Sequence, residues 1–442
     1  MNKNSLSPSL DNTLDACSDE DLLEKIQYDS FHFFHIFACR ENGLVPDSNK
    51  EGSACSTAAV GFALSSYPVA VERGWISRGE ALALTLAALR FFDTTEKGDT
   101  PRRIGHKGFF FHFLDMVSGE RVNDCELSVI DTALLLAGIL FSARYFDGVD
   151  AKEEEVRRRA LAIYSRVDWR WMQNGGAALA LAWTPEKGFS RYRWIGYCEA
   201  LVLYVLALGS PTHAVDPHAY SAWLSGYRWK KVYGYSYVYA GPLFIHQFSH
   251  IWIDFRDLRD AYMAEKGLDY FENSRRATCV HREYARRNPH HFDSYHGSCW
   301  GLTASNGPGP LVRRIHGRER KFFGYRARGA PYGPDDGTVS PWAAIASLPF
   351  APELVLPTTR YLATRTYDTN SSFGFYSSFN PTLKKDGKGV GWLSSSRYSL
   401  NQGPIVLMIE NYRSEFVWRL MRECPFIRQG LLRAGFSGGW LK

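Results

Sequence analysis

Glu199 is the residue whose surroundings best fit acid chemistry. It stands in WTPEKGFSRYRWIGYCEA, where an apolar segment begins. Apolar neighbours keep water from a carboxyl group and raise its pKa. A carboxyl that holds its proton near neutral pH can act as the general acid that cleaves a glycosidic bond. The alternative is a glutamate stabilised by a helix N-terminus, which lowers its pKa. Both interpretations stay open from the residues alone.

A second group of acids lies in the stretch 108–138, GFFFHFLDMVSGERVNDCELSVIDTALLLAG. Four carboxylates crowd the start of an apolar helix predicted from Val129: Asp115, Asp124, Glu126 and Asp131. Burying ionised carboxylates is costly, so these acids beside the aromatic run from Phe109 to His112 indicate a cleft for a polar, flat ligand such as a sugar. At least one of them is expected to be structural, as a helix cap or as the partner of an arginine.

The turn GPDDG (333–337) supplies another pair of carboxylates, Asp335 and Asp336, directly before an apolar segment. Aspartate is ordinary in turns because its side chain bonds to the nearby backbone. Alone, the motif is therefore weak evidence for a site. The motif is of interest because, like Glu199, it stands where an apolar segment begins.

Aromatic and polar side chains accompany the acids in the same loops. Trp194, Trp252, Trp300 and Tyr332 are candidates to stack on sugar rings, although such residues more commonly fill a core. The predicted substrate contacts are Asp124, Phe109, His112, Arg193, Trp194, Tyr239, His246, Trp252, Trp300, Asn306 and Tyr332. The histidines of PHHFDSYH (289–296) lack a diagnostic metal spacing, and we predict no metal and no other cofactor.

Helices must position these residues. Nearly uncharged segments start near residues 54, 128, 197, 242, 339 and 401, and a more amphipathic segment follows each. Because a helix that is apolar all round is buried on every side, the pattern predicts six inner and six outer helices. This is an all-α (α/α)6 barrel, with short strands in cleft loops such as KGFFFHF and FSRYRW. An all-helical solenoid fits the same pattern. We expect one domain, 18–442, after a disordered tail, 1–17.

Composition narrows the class of protein. The chain has 442 residues, 45% of them hydrophobic and 15% aromatic, which favours aromatic-lined clefts. Its net charge of +6 is interpreted as spread along the chain, and the cationic stretches 275–287 and 313–328 as solvated faces. We predict neither a nucleic-acid nor a membrane partner. Eight cysteines without metal spacing and an N-terminus without a secretory signal indicate the cytoplasm, or the periplasm if a leader has been removed.

Several segments together resemble the glycoamylase-like domain proteins of glycoside hydrolase family 144, the β-1,2-glucanases. They occur in the family's order over roughly residues 25–435: GFFFHFLD…GERVNDCELSVIDTALLLAG, WIGYCEALVLYVLALGSPTH, YAGPLFIHQFSHIWIDFRDLRD, WGLTASNGPGP and DDGTVSPWAAIASLPFAPE. Asn306 is a departure, since the family is expected to have an acid there.

The resemblance implies an (α/α)6 barrel that hydrolyses β-1,2-glucan or sophorooligosaccharides with inversion and without a metal. The implied catalytic set is Glu199, Asp131, Glu126, Asp335 and Asp336. In it, Glu199 is the general acid, and the base is a carboxylate of the 124–131 group or of the Asp335–Asp336 turn. Inversion requires carboxyls roughly 6.5–9.5 Å apart. A retaining β-1,2-glucan transglycosylase and a non-catalytic glycan-binding protein are the alternatives. Endo or exo action and the oligomeric state are not predicted.

Overall fold

The structure is a computed structural model that describes residues 17–94, 104–293, 295–368, 372–384, 389 and 391–442. The predicted disordered tail, 1–17, lies outside the described residues except for Cys17.

Helices dominate the chain. They are α1 Asp19–Phe37, α2 Thr57–Glu72, α3 Arg78–Thr94, α4 Val129–Tyr145, α5 Ala151–Ser165, α6 Trp169–Gln173, α7 Leu201–Gly209, α8 His218–Leu224, α9 Phe248–Trp252, α10 Ala261–Glu265, α11 Tyr270–Arg287, α12 Pro341–Ile345, α13 Pro352–Thr366, α14 Ser399–Ser414, α15 Phe416–Arg422 and α16 Pro425–Arg433. Short 3-10 helices span Leu243–His246 and Gly439–Leu441.

Six of these helices form the inner ring, and they are the six that the uncharged segments predict: α2, α4, α7, α9, α12 and α14. Packing contacts run around the ring from α2 to α4, α7 and α9, and from α12 through α14 back to α2. Gln247 closes the remaining side, because its Nε2 donates to the carbonyl of Ala343 at 2.6 Å and to Ser347 Oγ at 2.8 Å. Two inner helices, α9 and α12, are shorter than the sequence suggests, with 5 residues each.

Glycines allow the tightest contact in the ring. A Cβ on Gly138 of α4 would lie 2.1 Å from the carbonyl oxygen of Gly61 in α2. Any side chain at this crossing would therefore push the two backbones apart. This contact fixes α4, and with it the acids at its start, against α2.

The strands are short, as expected for cleft loops. They are β1 Cys55–Ser56, β2 Gly105–His106, β3 Phe109–Phe111, β4 Phe113–Leu114, β5 Leu127–Ser128, β6 Ala182–Thr184, β7 Gly188–Phe189, β8 Trp229–Val232, β9 Tyr235–Val238, β10 Leu258–Arg259, β11 Ala304–Ser305, β12 Leu311–Ile315, β13 Arg318–Phe322, β14 Arg326–Ala327, β15 Phe379–Asn380, β16 Trp392–Leu393 and β17 Ser437–Gly438. The largest sheet is antiparallel, in the order β2-β3-β5-β6-β7, and joins the loops that precede α4 and α7.

One main hydrophobic core contains buried residues from Leu22 in α1 to Leu441 at the C-terminal end. This continuity supports our proposal that 18–442 is a single domain. No helix among the described residues is both long and apolar enough to cross a membrane.

Candidate active site

A cavity of about 520 Å³ opens at the end of the ring where the inner helices begin. Its polar lining includes Asp47, His112, Asp131, Glu199, Asn306 and Asn401, and its walls include Phe113, Phe244, Phe248, Tyr325, Tyr398 and Leu400. These residues belong to the N-terminal ends of inner helices or to the loops before them. The cavity has the size of a small-ligand site.

Glu199 lies in the turn before α7, two residues ahead of the first helical residue, Leu201. Ser249 holds this turn, because its hydroxyl donates to the carbonyl of Glu199 and accepts from the N–H of Val202. Burial raises the pKa of the Glu199 carboxyl to about 7, and the charge of Asp131 adds to the rise. Glu199 thus faces the cavity with a proton near neutral pH.

Asp131 occupies the third position of α4 and is held by the residue that caps the helix. Ser128 Oγ accepts from the N–H of Asp131 at 3.2 Å and donates to its carboxylate. The same carboxylate lies 3.6 Å from His112 Nε2. Asp131 therefore acts both as a capping partner and as an acid of the cavity, so the structural and functional interpretations of this residue are compatible.

His112 connects two of the predicted acids. Its Nδ1 lies 2.9 Å from Glu126 Oε1, on the side of the ring away from Asp131. Burial alone lowers the pKa of His112, but the charges of Asp131, Glu126 and Asp47 outweigh it and raise the pKa to about 9. The imidazolium is therefore stable at neutral pH. Glu126 does not line the cavity and reaches it only through His112, so a direct catalytic role for Glu126 is not supported.

Asp47 is an acid of the cavity that the sequence analysis did not select. It lies in the loop before α2, and its carbonyl accepts from the N–H of Ser399 at the start of α14. Within the part of the chain that the structure describes, no hydrogen bond or ion pair holds its carboxylate. Burial raises the pKa of Asp47 to about 6, with His112 opposing the rise and Asp131 adding to it. Asp47 lies ten residues before the first residue of α2, Thr57, so its position along the chain shows no signal like that of Glu199.

Two tyrosines and an asparagine complete the polar rim. Asn306 lines the cavity as predicted, and its Nδ2 donates to the hydroxyl of Tyr398. Tyr325 stands at the mouth, where enclosure raises the pKa of its phenol and the carboxylates of Glu199, Asp47 and Asp131 add to the effect. Hydroxyl and amide groups beside apolar walls are suited to bind the hydroxyls and the faces of a sugar ring.

Comparisons with known proteins identify the family. The profile of the Glycoamylase family, described as putative glucoamylase, matches residues 191–425, just over half of the 442 residues. The chain belongs to this family.

Full-length similarities extend beyond the matched region. An exo β-1,2-glucooligosaccharide sophorohydrolase (non-reducing end) of Parabacteroides distasonis is 26% identical over 98% of this chain. The chain spans about 60% of the length of that relative. The crystal structure of a putative glucoamylase from Bacteroides uniformis superposes with a TM-score of 0.84 at 27% identity, covering 96% of this chain and 99% of the other.

An endo-β-1,2-glucanase from Chitinophaga pinensis, solved with sophorotriose and glucose, superposes with a TM-score of 0.82 at 26% identity, over 96% of this chain and 100% of the other. The glycoamylase-like resemblance and the barrel predicted from the sequence are confirmed by these matches.

In this glycoamylase-family barrel the Asp335–Asp336 turn lies apart from the cavity. The side chain of Asp336 is 0% exposed and forms a two-pronged ion pair with Arg328, whose Nε lies 2.7 Å from its Oδ1. Asp335 accepts from the hydroxyls of Tyr284 and Tyr295. Neither carboxylate lines the cavity that contains Glu199. Of the two positions expected for the base, the geometry does not favour this turn, because both carboxylates are engaged in holding it.

Most of the predicted aromatic platforms are core residues. Phe109, Trp252 and Trp300 are 0% exposed, and Trp194 and His246 are also buried. Trp252 Nε1 donates to Ser65 Oγ and Trp300 Nε1 to Thr358 Oγ1. These five residues cannot stack on a sugar in this structure, because protein covers both faces of each ring. Only His112 and Asn306 of the predicted contacts line the cavity.

The other predicted contacts lie on the surface or support the backbone. Arg193 Nη1 donates to the carbonyls of Gln173 and Ala178. Asp124 is exposed, in a turn with a positive φ of 46°. Tyr239 and Tyr332 pack edge to face, with 5.6 Å between ring centroids, outside the cavity lining. Roles for these four residues in binding stay predictions.

Proposed function

We propose that the protein hydrolyses β-1,2-linked glucan or its oligosaccharides, with Glu199 as the general acid and with inversion at the anomeric carbon. The observation that carries the proposal is the meeting of a protonated carboxyl, Glu199, with the ionisable carboxylates of Asp47 and Asp131 in one cavity. The activities of the Parabacteroides and Chitinophaga relatives support β-1,2-glucan as the substrate class.

The acid step assigned to Glu199 follows from its pKa. At neutral pH a large fraction of Glu199 keeps its proton, since the pKa is about 7. That proton passes to the glycosidic oxygen as the bond from this oxygen to the anomeric carbon breaks. A general acid is most effective when its pKa lies near the working pH. An exposed glutamate, with a pKa close to 4.3, would hold almost no proton there.

We assign the base step to Asp47. The carboxylate of Asp131 is already engaged, because it accepts from the hydroxyl of Ser128 and lies 3.6 Å from His112 Nε2. The carboxylate of Asp47 has neither partner, and its pKa of about 6 leaves it mostly ionised at neutral pH. It takes a proton from the water that attacks the anomeric carbon, on the face of the sugar opposite to Glu199.

His112 and Asp131 supply the charge balance of the site. Three carboxyl groups in one cavity repel one another when ionised, and an imidazolium between Asp131 and Glu126 reduces that repulsion. Positive charge beside Asp131 also limits the rise in the pKa of Asp47. His112 and Glu126 are therefore positioning residues, which keep the base ionised while the acid stays protonated.

The experiment measures cleavage of linear β-1,2-glucan and sophorooligosaccharides against a panel of β-1,3-, β-1,4-, β-1,6- and α-1,4-glucans. We expect only the β-1,2-linked substrates to yield shorter products, and proton NMR immediately after mixing to show the α-anomer first. The Glu199→Gln variant should lose about 10²–10⁴-fold in kcat, as expected for loss of a general acid.

The matched control is Glu154→Gln, at an exposed position of the outer helix α5, which should keep full activity. Full turnover by Glu199→Gln would remove this residue from the acid role. If the β-anomer forms first, the mechanism retains the anomeric configuration and is not inverting. If sophorooligosaccharides bind without being cleaved, the protein is a glycan-binding protein.

A further inference from the structure

The segment 311–328, which we call the cationic arm, carries an excess of positive charge. It contains seven cationic residues and one acid, Arg313, Arg314, Arg318, Arg320, Lys321, Arg326, Arg328 and Glu319. Seven minus one gives +6, which equals the net charge of the whole chain, +6. The remaining residues therefore sum to zero, so this one segment has a local excess of positive charge as large as the net charge of the chain.

The arm is an exposed hairpin made of β12 and β13. Its register places Arg313 directly opposite Arg320, although like charges in facing positions destabilise a hairpin. Arg320 is turned inward, where it donates to the carbonyls of His290 and His291 and lies 4.7 Å from the centre of the Phe292 ring. The other arginines of the hairpin point to solvent. The same register places Glu319 opposite Arg314, so the hairpin combines a facing pair of like charges with one of opposite charges.

Acidic partners are missing from most of the arm. Among the described residues, Arg328 is the only cation of the arm that forms an ion pair with a carboxylate, that of Asp336. Elsewhere the arginines of surface helices are commonly paired, as Arg286 and Arg287 are with Glu283. Five exposed cations of the arm therefore keep their capacity to bind anions: Arg313, Arg314, Arg318, Lys321 and Arg326.

The cationic arm is adjacent in sequence to segments that line the cavity. Strand β11 pairs with β14, and Ser305 of β11, Asn306 and Tyr325 line the cavity. Both ends of the arm therefore adjoin segments that line the cavity.

A second cavity, of about 320 Å³, lies beneath the hairpin. Arg318, Arg320 and Lys321 line it together with the acids Glu319 and Asp335. The buried Nε of Arg320 has no hydrogen-bond partner among the described residues, and Asp335 is already engaged by Tyr284 and Tyr295.

We propose that the cationic arm binds anionic ester groups, phosphate or carboxylate, carried by a glucan chain whose end occupies the cavity. This inference rests on the proposed function and names its substrate more closely. Arginine suits the role because its planar guanidinium donates two parallel hydrogen bonds to a carboxylate or a phosphate, and six of the seven cations are arginines.

Two other polyanions fit the arm less well. Single-stranded nucleic acid is bound through several exposed aromatic rings on which successive bases stack, whereas Phe322 of the hairpin is buried and Tyr325, at the mouth of the cavity, is the one exposed aromatic ring of the arm. A membrane-binding hairpin presents apolar residues at its tip, but the tip here is His316-Gly317, followed by Arg318. An anionic glucan requires neither feature.

The test compares kcat/KM for neutral linear β-1,2-glucan with that for the same glucan sparsely phosphorylated or sparsely succinylated, at low and high salt. We expect the wild type to prefer an anionic form, with the preference falling as salt screens the arm. The two derivatives separate phosphate from carboxylate as the bound group. In the variant R313Q/R314Q/R318Q the ratio of anionic to neutral kcat/KM should fall about fivefold to tenfold, since each exposed cation contributes weakly.

The matched control is K152Q/R158Q/R419Q, which removes three exposed cations from outer helices and leaves the net charge equal to that of the arm variant. It should keep the wild-type ratio, and an equal fall in both variants would overturn the inference. Affinity electrophoresis in gels with neutral or phosphorylated glucan measures binding without cleavage, so the arm is tested even if the proposed hydrolysis fails. Failure of phosphorylated or succinylated glucan to retard the wild type more than neutral glucan, or tighter binding of single-stranded RNA or anionic vesicles, would also overturn it.

Discussion

Glu199 and the Asp335–Asp336 turn look alike in the sequence, since each places acid directly before a buried helix, yet the structure uses them in opposite ways. Glu199 faces a cavity, and its carboxyl is raised in pKa to about 7. Burial alone also raises the pKa of Asp336, but Arg328 outweighs it and holds the pKa below its usual value. One acid keeps a proton, and the other keeps a charge.

The pKa values of these carboxyl groups differ because of their hydrogen-bond and ion-pair partners, and not because of how deeply they are buried. Asp336 accepts from both Nε and Nη2 of Arg328 and from the N–H of Phe323, so its charge is satisfied. At the cavity, Asp47 has no such donor and shares the space with Asp131 and Glu199. Unpaired acids that perturb one another are typical of catalytic sites, whereas fully bonded ones are typical of structural turns. The predictions below separate the two kinds of acid, from the largest effect to the smallest.

Asp47→Asn should abolish the ability to activate water while leaving the fold intact. We expect kcat to fall by about 10²–10⁴-fold, the usual contribution of a general base. Azide, which needs no deprotonation, should restore turnover and give a glucosyl azide of α configuration. In the wild type kcat/KM should fall below pH 6, where Asp47 takes up a proton, and above pH 7, where Glu199 loses its own. The variant should lose the acidic limb.

Asp335→Asn is the matched control, because it makes the same change in a carboxylate that two tyrosines hold. It should keep kcat and the pH profile of the wild type. An equal loss of kcat in the Asp335 variant would place that turn in the reaction and contradict the comparison. If Asp131→Asn and not Asp47→Asn responds to azide, the base is Asp131.

Asp336→Asn should lower the stability of the fold and leave the rate of the reaction unchanged. The change leaves the fully buried guanidinium of Arg328 without its counter-charge, and breaking a buried ion pair costs about 3–5 kcal/mol. Urea denaturation followed by circular dichroism measures this loss in the free energy of unfolding. At low temperature the folded fraction should keep the wild-type kcat.

The control for this change is Glu353→Gln, which removes an exposed ion pair with Arg275 at 3.0 Å. Exposed pairs contribute about 0–1 kcal/mol, so this variant should unfold near the wild-type midpoint. If the two substitutions cost the same, the Arg328 pair does not stabilise the fold in the way that its burial suggests.

The barrel was predictable because buried helices can be recognised in the sequence by their lack of charged residues. Segments without charge must be buried, and six of them in alternation with amphipathic segments specify the ring. Helix caps are equally local, since Ser18 and Ser77 accept from the N–H groups of Asp21 and Glu80, three residues further along the chain. Such features depend on neighbours within a few residues, which the sequence displays.

The lining of the cavity was less predictable, because it depends on which side chains turn inward. Trp252 and Trp300 carry the same apolar signal whether they fill a core or line a cleft. Asp47 follows a proline in a loop whose composition indicates only a turn. Partners distant in sequence decide the outcome, as Arg328 does for Asp336 and Ser399 for the loop of Asp47.

Glu199 should also destabilise the fold when it ionises, which gives the smallest effect of the series. The pKa of Glu199 is about 7 in the folded protein, above the usual 4.5. Between pH 4.5 and pH 7 the folded protein therefore keeps a proton on Glu199 that the unfolded chain has already released. The free energy of unfolding must therefore fall as pH rises from 4.5 to 7. Glu199→Gln cannot ionise and escapes this loss. We expect it to gain roughly 1–3 kcal/mol over the wild type at pH 8 relative to pH 5, measured by urea denaturation at both pH values. The exposed control Glu154→Gln should show no such difference, and equal behaviour of the two variants would mean that burial does not perturb Glu199.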